Sequence, residues 1–242
     1  MGSFNISIYS VIMFICFIPA IVVHEVSHGF VANRLGDPTA KSQGRITLNP
    51  LKHIDPFGTV ILPLFLMVIG GPVFGYAKPV PYNPNYFKNI RQGEFLTGIA
   101  GPASNLIMAA IGFIVSRVIP LVTQTTPAFM GTAPYAGYQA RFGLIEPVTA
   151  GDWIVLCCYF FVLINLYLAF FNIIPIPPLD GASIIALFLT PNGLRSYYRI
   201  QRYALPVLMI LLLVLPYVLG FSPLGIYLDA TAGNITSFFF NF

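Results

Sequence analysis

Charge is what this sequence has least of. Twelve basic and eight acidic residues make up 8% of its 242 positions, against roughly 25% in a soluble domain. So few charges cannot cover a globular surface, and a chain that is 57% hydrophobic is too apolar to stay disordered. Histidine occurs three times, too few for the histidine-rich iron sites of membrane oxidases and desaturases. The three cysteines, Cys16, Cys157 and Cys158, lie inside apolar runs without CxxC spacing. They read as packing residues and imply no disulfide framework. The net charge of +4 is scattered over several loops and leaves no nucleic-acid footprint. Internal repeats, low-complexity linkers and β-barrel alternation are all missing.

What the sequence does have is long apolar runs. They cover residues 4–23 (continuing helically to about 33), 57–76, 95–119, 153–174 (resuming at 181–189) and 203–219. Each approaches the ~20 residues that cross a ~30 Å hydrocarbon core as a helix. An all-α polytopic membrane protein with about four to six transmembrane helices follows. One membrane-embedded domain, 1–242, is expected, with its core at about 4–190 and an accessory helix at about 203–220. The first run has no positively charged start, so it reads as a retained helix and not a signal peptide.

The second run is broken by Pro63, Gly70, Gly71, Pro72 and Gly75. If it crosses like the others, six lysines and arginines fall on each side of the membrane. If it dips in and returns, ten fall on one side and two on the other. The positive-inside rule favours the re-entrant arrangement, with the N-terminus outside and the ten basic residues cytoplasmic.

The first run ends in His24-Glu25-Val26-Ser27-His28, the pattern H-E-x-x-H. Its spacing puts His24 and His28 one turn apart on one helix face, able to hold one ion, with Glu25 placed to hold a water on it. A pair of interfacial histidines with a snorkelling glutamate is the plainer alternative. Three of the chain's eleven histidines and acids nevertheless cluster here, where each ionisable group costs roughly 2.5–3.5 kcal/mol to insert. Residue 24 lies roughly 28 Å of helix rise beyond residue 5, towards the cytoplasmic end of the span.

A catalytic zinc needs a third protein ligand and an open position. Asp37, Asp55, Glu94, Glu146, Asp152 and Asp229 sit in loops or at run ends. Only Asp180 is embedded between apolar stretches, in N172-I-I-P-I-P-P-L-D-G181. The prolines there unwind the helix, which membranes tolerate where backbone is buried in protein or lines a wet cavity. Asp180 is otherwise an N-cap for the helix that follows. His53 is a further ligand, an orienting group or a structural loop histidine.

Three blocks in this order resemble the site-2 protease family of intramembrane zinc metalloproteases: H24-E-V-S-H28, A100-G-P-A-S-N105 and F171-N-I-I-P-I-P-P-L-D-G181. The segment G75-Y-A-K-P-V80 looks like the family's membrane-dipping strand region. The resemblance spans residues 10–190. It implies one catalytic Zn2+ bound by His24, His28 and Asp180, with Glu25 as general base. It implies an oxyanion or substrate-backbone donor at Asn172, which is otherwise a cap on the unwound segment. Substrate would lie along an edge that includes Gly75, Tyr76 and Ala77. Asn105 reads first as a helix-packing residue near the site, and it and His53 are candidates to support the site from behind. The implied activity is hydrolysis of peptide bonds within or near transmembrane segments of membrane-protein substrates, in the lipid bilayer of a prokaryotic cytoplasmic membrane, with the active site towards the cytoplasm.

The 32-residue stretch 120–151 is too short for an inserted PDZ-type peptide-binding domain. The 23 residues after 219 are too few for a nucleotide-binding CBS module, so a short form of the family is expected. Two other readings stand beside it. A transporter or channel would use Glu25 and Asp180 as a proton relay, and an inactive family member would act as a scaffold.

Overall fold

The structure is a computed structural model that describes residues 8–61, 76–126 and 147–240. It is mostly helical. In chain order the helices are α1 (Ile8–Arg34), α2 (Thr39–Ser42), α3 (Ile90–Val122), α4 (Ala150–Asn172), α5 (Ala182–Ala186), α6 (Pro191–Leu219), α7 (Pro223–Leu228) and α8 (Asn234–Phe240). Four of these, α1, α3, α4 and α6, are long and apolar enough to cross a membrane. No β-strand occurs among the described residues.

Local chemistry sets the helix starts. Asn89 Oδ1 accepts from the Arg91 and Gln92 amides at the entrance to α3. At α4, Thr149 Oγ1 accepts from Asp152 N–H while Asp152 Oδ2 accepts from Thr149 N–H, a reciprocal capping box. Thr190 caps α6, with Pro191 in its first turn, and Gly220 closes that helix in the left-handed region at φ 72°.

The last long helix corrects one expected boundary. It begins not near 203 but at Pro191, where Thr190 and Pro191 start it; Arg195, Arg199 and Arg202 are all exposed, so their charges stay solvated and a helix carries them at small cost. The fourth run resumes only as the short α5. The second run enters through a single π-helical turn, Pro56–Ile61. Residues 62–75, which carry the expected re-entrant segment and Gly75, lie outside the described residues, as does Glu146.

The chain forms two compact units whose four boundaries all fall inside helices. One takes the chain up to Ala20, then Asn105–Phe170 and the stretch from Ile226 onward. Its core is built around Ile12, Val155, Leu156, Phe160, Leu166 and Phe240. Within it the fully buried Asn105 amide donates to Ala20 C=O and to Asn165 Oδ1, and Asn165 donates to Phe161 C=O. The other unit takes Ile21–Ser104 and Phe171–Gly225. It carries the polar cluster.

Candidate metal centre

The second half of α1 presents His24 and His28 with their rings edge to face, centroids 4.7 Å apart. Asp180 reaches them from the unwound segment after α4. Its Oδ2 lies 2.9 Å from His24 Nε2 and 3.3 Å from His28 Nε2. The segment holds its shape through backbone bonds, with Gly181 N–H donating to Asn172 C=O at 2.6 Å and Leu179 N–H to Ile176 C=O at 2.9 Å. A side chain at 181 would collide with the Ile173 carbonyl, so glycine lets the chain double back there. Asp180 does not cap α5; Gly181 occupies that position without any side-chain bond.

Protonation of one histidine follows from its neighbour. His28 Nδ1 lies 2.7 Å from the Thr97 carbonyl oxygen. A carbonyl can only accept, so Nδ1 carries a hydrogen, and Nε2 is the ring nitrogen that faces Asp180. Asp180 Oδ2 is buried and makes no hydrogen bond despite the two close nitrogens. Two imidazole nitrogens and one carboxylate oxygen thus converge on one point, a donor set suited to a cation. The three donor atoms lie within 4.8 Å of one another. A tetrahedral zinc with bonds of about 2.0–2.2 Å separates its ligands by about 3.3 Å, so the set fits such an ion. Room for the pair comes from α3, where Gly101 faces both rings. A methyl group there would stand 2.6 Å from His24 Nε2 and closer still to His28 Nε2.

Glu25 is half-buried, and its Oε2 accepts from Val80 N–H at 2.9 Å. Val80 belongs to an extended strap, residues 76–83, held on both sides by its own chain. Tyr76 N–H donates to Gly58 C=O, Lys78 N–H to His53 C=O, and Asn83 N–H to Asp37 Oδ2. Arg45 Nη2 donates to the carbonyls of Lys78 and Pro79, at 2.8 and 3.2 Å. The strap forms no β ladder, because Pro79 and Pro81 remove alternate amides. It is moored at its far end by Tyr82, whose hydroxyl donates to Glu94 Oε2, while Tyr198 of α6 donates to Glu94 Oε1. Burial, then the Glu94 carboxylate, push the Tyr82 phenol well above its usual range, so it remains a donor.

Of the residues expected from sequence, His24, His28 and Asp180 come together and Glu25 lies beside them on α1. His53 stands apart from the three converging donors. It is buried, its Nε2 lies 2.8 Å from Thr47 C=O, and its own carbonyl anchors the strap. Asn172 closes the unwound segment through its carbonyl, and the Asn105 amide engages α1 at Ala20, one turn before His24. Tyr76 and Ala77 lie in the strap. Glu94 and Asp152, expected in loops or at run ends, are buried in the opening turns of α3 and α4. Sequence reasoning passed over Arg45, Val80 and Thr97. The one visible signal was the Pro-Val-Pro spacing, which isolates the Val80 amide.

Comparison with known proteins gives a consistent answer. The model of peptidase family M50 matches residues 12–215. The chain is 37% identical over 213 residues to YwhC of Bacillus subtilis, covering 88% of this chain and 81% of that protein, which is named as a zinc metalloprotease. It is 25% identical over 229 residues to Rip2 of Mycolicibacterium smegmatis, covering 90% and 77% of the two chains, and that protein is named likewise. A third relative, the zinc metalloprotease MJ0392 of Methanocaldococcus jannaschii, is 24% identical over 186 residues, 77% of this chain and 37% of its own. No solved structure matches the chain.

Proposed function

The chain belongs to peptidase family M50, the site-2 protease family, and from that premise we propose that it is a zinc metalloprotease hydrolysing peptide bonds within or near transmembrane segments of membrane-protein substrates. The observation that carries this reading is the convergence of His24, His28 and Asp180 on one point, with Glu25 beside them in the second half of an apolar helix. Zinc held by those three residues supplies Lewis acidity, lowering the pKa of a water and polarising the scissile carbonyl. Glu25 takes a proton from the attacking water and delivers it to the leaving amine. The Asn172 side chain donates to the developing oxyanion or to the substrate backbone. Gly75, Tyr76 and Ala77 receive the unwound substrate; among the described residues the Ala77 amide has no partner, which suits that task. His53 and Asn105 act behind the site, one on the strap and one on α1.

A proton-relay reading would want Glu25 and Asp180 paired along a path. Asp180 instead faces two imidazoles and Glu25 faces a backbone amide. We take the second run to dip and return, because that puts ten basic residues on one side; the active site would then face the cytoplasm of a prokaryotic cytoplasmic membrane, with the N-terminus outside and residues 1–242 as a single domain. Cysteine accessibility at positions 52 and 88 tests this arrangement, and labelling from opposite faces would overturn it.

The function itself is tested in detergent with purified protein, zinc measured by elemental analysis and a transmembrane peptide as substrate. Glu25→Gln should retain zinc and lose hydrolysis. Full activity in that variant, or no zinc in the intact protein, would refute the reading.

A further inference from the structure

The Pro79–Val80 peptide group sits between two opposite charges. Its carbonyl oxygen accepts from Arg45 Nη2 at 3.2 Å, and its N–H donates to Glu25 Oε2 at 2.9 Å. In a trans peptide those two groups point in opposite directions, so Arg45 lies on one side of the strap and Glu25 on the other. Arg45 is only 7% exposed, and among the described residues it has no carboxylate within ion-pair distance. Its second bond, to Lys78 C=O at 2.8 Å, fixes the neighbouring Lys78–Pro79 peptide, and the Lys78 N–H, one peptide earlier, donates to His53 C=O.

We infer that Arg45, acting through the Pro79–Val80 peptide, is a positioning residue for Glu25. A buried cation on the carbonyl polarises the peptide and makes its N–H a stronger donor to a carboxylate. One oxygen of Glu25 is thereby tied to the scaffold, and the other is left for proton transfer. Prolines at 79 and 81 make Val80 the only amide between Lys78 and Tyr82, so the strap has no neighbouring N–H to offer in its place. Gly29 on α1 completes the arrangement, since a methyl group there would stand 2.7 Å from Val80 Cγ1 and push the strap away. The assignment of chemistry to Glu25 rests on the function proposed above; the hydrogen-bond chain does not.

Two measurements on the full-length purified protein test it. The first is hydrogen exchange of the segment 78–82, where Val80 carries the internal amide. Arg45→Met and Glu25→Ala should each speed its exchange by about tenfold or more. Unchanged protection in both variants overturns the chain of bonds, whatever the protein catalyses. The second is kinetic, at matched zinc content. Arg45→Met should lower kcat by about tenfold with KM little changed, part of the range that general-base catalysis supplies. Val80→Pro removes the amide while keeping the chain extended and should lower kcat by a similar factor. Val80→Ala, which keeps the amide, should recover most of it, and Arg45→Lys part of it. The Arg45→Met/Val80→Pro double variant should be no slower than Val80→Pro alone, because both act through one bond. If Arg45→Met does not fold, the Val80→Pro and Val80→Ala comparison decides. Equal kcat in those two, or additive losses in the double variant, refutes the inference. An active Glu25→Gln protein would refute the proposed function and leave the exchange result standing.

Discussion

Gly101 closes against His28 so tightly that one added methyl group would overlap the imidazole Nε2. The small residue on α3 is therefore a condition for the two histidines to meet Asp180. Gly101→Ala should lower zinc affinity by at least about tenfold, as displaced ligand orientation does. Elemental analysis after dialysis against buffered zinc reads this directly. Gly112→Ala, in the other unit and against Phe161 and Val162, should keep its zinc.

Asp180 supplies the only carboxylate oxygen of the converging set. Removing the metal from the intact protein with a chelator should abolish hydrolysis, and added zinc should restore it. Asp180→Asn keeps the shape but gives up the charge, so zinc that restores the parent protein should fail to restore this variant. Zinc titrations followed by activity and by metal content would separate the two.

Glu94 is 1% exposed and is satisfied by two phenols, Tyr82 and Tyr198. Removing either hydroxyl leaves a buried carboxylate short of one donor, at a cost of about 1–3 kcal/mol. Tyr198→Phe should therefore lower the thermal midpoint in detergent. It should also loosen the attachment of α6 to the strap, read as faster exchange in residues 82–89.

Much of this arrangement is legible in the sequence, and the rest is hidden for physical reasons. H-E-x-x-H declares itself because helical spacing alone puts His24 and His28 on one face. Asp180 declares itself because a lone carboxylate amid prolines and apolar residues is too costly to keep there without a partner. Arg45 and Val80 do not, since an arginine in a loop and a backbone amide carry no spacing signature. Their roles arise from a tertiary contact across 33 to 55 residues of chain. The start of α6 was displaced for a related reason. Three arginines end an apolar run on a hydropathy scale, yet exposed on a helix they cost it only about 0.2–0.5 kcal/mol per like-charged pair.

Asn105 shows the same divide. Its side chain is fully buried and bonds Ala20 C=O and Asn165 Oδ1. Asn105→Ala would leave the buried Asn165 Oδ1 without that donor, so a loss of about 1–3 kcal/mol is expected. Zinc content at saturating metal should remain stoichiometric. A thermal melt paired with metal analysis checks both halves.

The prolines of the strap have one more effect. An extended segment with a full row of amides invites another chain to zip alongside it, and a membrane concentrates chains that could do so. Residues 79, 81 and 84 have no hydrogen to offer, and Val80 has already given its own to Glu25. The segment thus meets α1 at Glu25 and Gly29 but is poor at recruiting strangers. Replacing Pro79 or Pro81 by alanine would return a donor to that edge, and with it a route to self-association that the natural sequence closes.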